Sequence, residues 1–174
     1  MRNAASIAWK TFVIAVGLGL AVVAAGAARG AGPVVGWGAG APPAKISASA
    51  IGAGSGYSCA IEARTGAVVC WGYNYYGAAR PPTSVDGSVG TATEIAAGST
   101  HSCAIQTGSD AVVCWGDNTY GKAKPPASVD GTAGTASAIA AGGDHSCAIQ
   151  AGSSAVVCWG HVQHHNYFQA TPPP

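Results

Sequence analysis

Charge is scarce in this sequence. Lys and Arg number 8, Asp and Glu 7, and charged residues fill only 9% of the 174 positions, against roughly 25% in an ordinary soluble domain. Near-neutrality of this kind excludes a nucleic-acid binder that works through clustered Lys and Arg. It equally excludes a chain held unfolded by its own charge. Met occurs once and Phe twice, so the 48% hydrophobic content rests mostly on Ala and Val. Long Leu-rich amphipathic helices are therefore not expected. No G-x-S-x-G, H-E-x-x-H or P-loop occurs, and the acids stand singly, with no evident pair for general acid–base work. No cofactor is implied. What the chain does have is 26 Gly and 10 Pro, which predict many turns in a length suited to one domain or two small ones.

The N-terminus reads differently from the rest. Arg2 and Lys10 precede the apolar run Thr11–Val23, which fades into small residues around Ala25-Gly26-Ala27. A positive start, a short apolar core and a small-residue exit are the three parts of a secretory signal peptide, here over residues 1–28. The competing reading is an uncleaved anchor, because Thr11–Ala28 has the 18 residues that a spanning helix needs at minimum. Only in that case is a membrane a partner. Export predicts a secreted, periplasmic or cell-surface location.

Six cysteines agree with export. Cys59 and Cys70, Cys103 and Cys114, and Cys147 and Cys158 are each 11 apart, and successive pairs are 44 apart. This periodicity selects three local disulfides from the fifteen pairings that six cysteines allow. Zinc is the alternative, but its usual C-x2-C spacing never occurs. Free thiols are the remaining one.

The 44-residue period organises the whole chain, and such periods signal solenoids, propellers or arrays. Full units begin at Ile51, Ile95 and Ile139, giving repeats 51–94, 95–138 and 139–174. A damaged copy occupies 34–50 and holds Val34-Val35-Gly36-Trp37-Gly38 and Pro42-Pro43. Within a unit, HSCAIQ, TGSD and AVVCWG read as strand, turn, strand. Opposing Cys103 and Cys114 places Ile105 opposite Val112 and Ala104 opposite Val113, with the turn at Gly108-Ser109. Both faces of this hairpin are apolar, so each hairpin is expected to be packed on both sides. The segment IAAG supplies a third short strand, and Pro81-Pro82 and Pro125-Pro126 fall in connections.

The strings A-A-G-x-x-H-S-C-A-I and V-V-C-W-G-D-N-x-Y-G resemble the regulator-of-chromosome-condensation repeat. The matching positions are Ala96-Ala97-Gly98, His101, Trp115-Gly116-Asp117-Asn118 and Tyr120-Gly121. The resemblance implies an all-β fold: a partial β-propeller of three full blades made of short antiparallel strands, following the N-terminal signal helix. The family's rings are typically seven-bladed, so this chain does not close one alone. Two copies completing a ring around a twofold axis are the expected self-association. The cysteines set the chain with exported bacterial-type relatives, and the W-G-D-N-x-Y-G segment is similar to that of secreted β-lactamase inhibitor proteins built of the same repeat.

Candidate chemistry is thin. Asp144-His145-Ser146 holds triad residue types, but strand neighbours point to opposite faces and cannot relay a proton. Thr100-His101-Ser102 and Gly56-Tyr57-Ser58 recur in the same register, which assigns that position to structure. His161, His164 and His165 form one off-register cluster; a solvated tail is the plainer reading and a metal site the lesser one. Surface recognition remains, because propeller loops lie at the rims. Tyr73, Asn74, Tyr75, Asp117 and Asn118 are the expected contact residues, while Tyr76 and Tyr120, each followed by Gly, are expected to pack between blades. The function that follows is non-catalytic binding of a protein or a cell-surface polymer. The alternatives are guanine-nucleotide exchange on a small GTPase, which the family name implies, and an enzyme on a propeller scaffold.

Overall fold

The computed structural model describes residues 31–36, 42–43 and 46–161. The leader, Trp37, His164 and His165 lie outside the described residues. Among the described residues, ten strands form three antiparallel sheets, each a meander of chain neighbours. The first holds β1 (Gly32–Pro33), β2 (Ser47–Ala53), β3 (Tyr57–Glu62) and β4 (Val68–Gly72). The second holds β5 (Ala92–Ala97), β6 (His101–Gln106) and β7 (Val112–Gly116), and the third β8 (Ala136–Ala141), β9 (His145–Gln150) and β10 (Val156–Gly160). One short 3-10 turn, Thr119–Gly121, follows β7. The architecture is all-β, three blades of a partial propeller.

The hairpin register is the one that the sequence predicts. Cys103 opposes Cys114, Ala104 opposes Val113 and Ile105 opposes Val112. The pairing repeats in the other two blades, and the disulfides Cys59–Cys70, Cys103–Cys114 and Cys147–Cys158 follow from it. The IAAG strand runs longer than expected, starting three residues earlier at Ala92 in the second blade. A bulge falls between Ala92 and Glu94, and its equivalents fall between Ala48 and Ala50 and between Ala136 and Ala138. Each bulge re-aims the end of the strand.

Trp-Gly ends every hairpin for a steric reason. Gly116 has φ +98, and a Cβ there would lie 2.7 Å from the Thr100 carbonyl oxygen and 2.9 Å from the His101 Cα. Gly72 and Gly160 meet the same obstruction. Only glycine accepts both the left-handed backbone and the contact.

Two apolar clusters join the blades. Cys59, Ile61 and Val68 of the first blade pack on Ala104 and Trp115 of the second. Cys103, Ile105 and Val112 of the second pack on Ala148 and Trp159 of the third. The connections add Ala78 and Val85 to the first and Val129 to the second; Val85 and Val129, fully buried, accept backbone hydrogen bonds from Val68 and Val112. Packing on both faces therefore holds for the second blade. On the third blade Ile149 is 40% and Val156 51% exposed, where Ile105 and Val112 are each 2%. That blade is covered on one side only, because no described blade follows it.

Candidate functional site: interblade clamps and a tyrosine rim

A polar clamp crosses each blade boundary in repeat register. The Tyr57 hydroxyl donates to the His101 carbonyl and lies 2.9 Å from Ser102 Oγ. Ser102 Oγ donates to the Ala78 carbonyl at 3.0 Å, and the Trp115 indole donates to the same oxygen at 2.8 Å. One repeat on, His101 Nε2 meets Ser146 Oγ at 2.8 Å. Ser146 Oγ and the Trp159 indole then donate to the Lys122 carbonyl at 3.2 and 3.0 Å. Since Ser146 gives its proton to that carbonyl, His101 must donate from Nε2, and its Nδ1 is left without a partner. Burial first, then the positive Lys122, brings the His101 pKa down to about 4. Burial raises the Tyr57 hydroxyl to about 12.

This His–Ser pair is not a nucleophile and base. His101 and Ser146 are fully buried, no acid orients the ring through Nδ1, and the serine proton is committed to a carbonyl. Asp144-His145-Ser146 forms no relay, and Asp144 lies just ahead of β9. Asp144 binds Lys122, and Ser146 reaches back to His101 of the preceding blade. The register role assigned to His101 is thus a blade-to-blade hydrogen bond.

The fold also makes a carboxylate pair that the sequence did not reveal. The almost wholly buried Lys122 ammonium lies 2.9 Å from Asp117 Oδ2 and 2.7 Å from Asp144 Oδ1. Burial pulls the Lys122 pKa down, but the hydrogen bonds to the two carboxylates more than offset it, so the net shift is upward. Hydrogen bonds from Lys122 and Thr119 hold Asp117 well below the usual carboxylate range. An acid held ionised in this way donates no proton near neutrality. Ala78 replaces Lys122 one repeat earlier, so this ion cluster belongs to the boundary between the second and third blades alone.

The expected contact residues divide by what their side chains already do. Asn74 Oδ1 accepts from the Ala79 amide, and Asn118 Oδ1 from the Ala123 amide, so each asparagine stitches its own loop. Asp117 is tied to Lys122 and caps Thr119. Tyr73 and Tyr75 are exposed, with near-parallel rings 6.3 Å apart. Tyr76 and Tyr120 depart from expectation. They are 49% and 59% exposed rather than buried between blades. Tyr76 meets Tyr75 edge-on at 4.9 Å. Tyr120 stacks on His161 at 4.0 Å, which binds that histidine to the second blade's loop. Among the described residues, no three His, Cys, Asp or Glu are placed to hold a metal ion, and no helix is long and apolar enough to cross a membrane.

Solved structures similar to this chain are propellers. The CRINKLY WD40 ectodomain of the Arabidopsis thaliana receptor kinase ACR4 is 28% identical over 66% of this chain and 37% of its own, with a TM-score of 0.50. The ectodomain of the Physcomitrella patens receptor kinase CR4 is 22% identical over 68% of this chain and 30% of its own, at 0.55. The structure of Kap60 bound to yeast RCC1 (Prp20) matches at 18% identity over 76% of this chain and 33% of the other, also at 0.55. The chain thus spans about a third of the length of each. No curated protein gives a significant sequence match. A family model described as "Regulator of chromosome condensation (RCC1) repeat" matches residues 92–122, a stretch that opens at the first residue of β5 and closes at Lys122. The chain therefore carries a regulator of chromosome condensation repeat, set in a partial β-propeller of three blades.

Proposed function

We propose that the chain is an exported, non-catalytic binding module whose contact surface is the loop bearing Tyr73, Tyr75 and Tyr76. The observation that carries this reading is the cluster of three exposed tyrosine rings on a single loop, with Tyr75 paired to both Tyr73 and Tyr76. Tyrosine offers large contact area at little cost in side-chain entropy, and exposed aromatic groups of this kind mark interaction sites. The loop stands on a scaffold stapled by disulfides, which suits an oxidising compartment. The partner is a protein or a cell-surface polymer, and a second copy of the chain is the partner for the open end of the arc. The structure of yeast RCC1 with Kap60 bound supports protein binding as a use of this scaffold.

Photo-crosslinking on intact producing cells tests the rim. A photoreactive residue at position 75 should give specific adducts, while one at Val89, exposed on a different loop, should give few. Equal labelling from both positions would remove the rim from the reading. Intact mass of the product, with and without reduction, tests export: cleavage near Ala27 and three disulfides are expected, and an uncleaved, reduced chain would overturn it.

A further inference from the structure

We infer that the arc docks end to end onto a second copy of itself, the outer face of the third blade of one molecule covering the outer face of the first blade of the next. Each internal boundary joins the same two surfaces. One presents an Ile–Val pair and a Tyr or His; the other presents a Ser and a Trp that bind back across the boundary. Both surfaces recur on the outer faces of the first and third blades, where no further described blade covers them. The third blade offers Ile149 and Val156 to solvent, with His145 in the place of Tyr57 and His101. The first blade offers Ser58 and Trp71, both partly exposed, whereas Ser102 and Ser146 are fully buried and Trp115 and Trp159 nearly so. Among the described residues, neither Ser58 Oγ nor Trp71 Nε1 has a hydrogen-bond partner, and the adjoining Ala53 is exposed. The two ends are thus complementary because each copies a face already mated inside the same chain. Such a contact is heterologous: it closes into a ring if the rotation permits and extends into a filament if it does not. This assembly rests on the reading of the chain as a stack of like blades and is independent of the tyrosine rim.

Sedimentation equilibrium of the full oxidised chain tests it, with Val156→Asp blocking one end and Ala53→Asp the other. Wild type should associate, and each substitution should weaken association by about tenfold or more. Mixing the two variants should restore a single heterodimer, since each still carries one intact, complementary end. Ile149→Asp repeats the test if Val156→Asp fails to fold, as judged by circular dichroism. A variant with Tyr73 and Tyr75 changed to Ser should assemble like wild type, so a failure here leaves the rim reading standing. The inference is overturned by a wild type that is monomeric at every soluble concentration. It is also overturned if Ala53→Asp has no effect, which would mean that like ends meet. A monomer that associates only when residues 162–174 are removed overturns it too, by assigning the face to the chain's own C-terminal segment.

Discussion

Tyr57 and His101 hold the same place in successive blades, yet acid should act on only one of them. The folded pKa of His101 is lowered from 6.5 to about 4. The unfolded chain therefore binds a proton that the folded chain refuses, and stability falls as pH drops from 6.5 to about 4. The loss amounts to roughly 3 kcal/mol when complete. His101→Tyr, which copies Tyr57, should keep the clamp and flatten the dependence of Tm on pH across that interval. Asp117 works in a lower window. Its folded pKa lies below the ordinary 3.8, so its contribution is present above 3.8 and is lost as pH falls through the folded value. Asp117→Asn should remove that acid-sensitive part, as read from denaturant midpoints taken below pH 4. Ser146→Ala would leave His101 Nε2 buried without an acceptor, at a cost of about 1–3 kcal/mol by urea unfolding. Lys122 was not legible in the sequence, because Asp117 meets it only where their shared loop folds back and Asp144 only across a blade boundary. The one clue was its departure from Ala78 at the same repeat position.

At the scale of the hairpin, nearly everything was legible. Cysteine spacing, strand alternation and the terminal Trp-Gly jointly determine which residues face each other, and β6 and β7 pair accordingly. The early start of β5 at Ala92 was hidden because Ala-Thr-Glu lacks an apolar pattern, and the bulge before Glu94 breaks what alternation there is. The loops were less legible. Gly after Tyr suggested burial for Tyr76 and Tyr120, but the glycines serve the turn backbone, with φ of +78 at Gly77 and +75 at Gly121, and leave the rings outside. Each disulfide closes a loop within one hairpin, so removing Cys103 and Cys114 together by substitution with Ala should cost about 3 kcal/mol in the chain-entropy account. Thermal unfolding of the double variant, compared with the oxidised chain, measures it.

For the molecule as a whole, repetition makes stability depend on neighbours. The second blade is enclosed between two others, and the third is enclosed on one side. In the monomer, at concentrations below self-association, amide hydrogen exchange should therefore be slowest in β6 and β7 and faster in β9 and β10, even though the sequences of the strands are almost the same. Equal protection in the two blades would show that the outer face is covered in solution. The partial propeller was legible from the period and from the repeat that carries it. The asymmetry between the ends was not, since the third repeat keeps the Ile and Val of its predecessors and only burial distinguishes them.

The disulfides have a mechanical consequence. All three lie inside hairpins, and none ties one blade to the next. Blades are held together by non-covalent contacts: side-chain packing, the clamps at Ala78 and Lys122, the Lys122–Asp144 ion pair, and hydrogen bonds such as those from the Ile139 amide to Glu94 and from the Ala92 amide to the Gly66 carbonyl. Under tension applied at its two ends, the oxidised molecule would come apart at its boundaries first and pay out length in steps. The stretch between each pair of cysteines would remain shielded from the load until the bond itself was reduced.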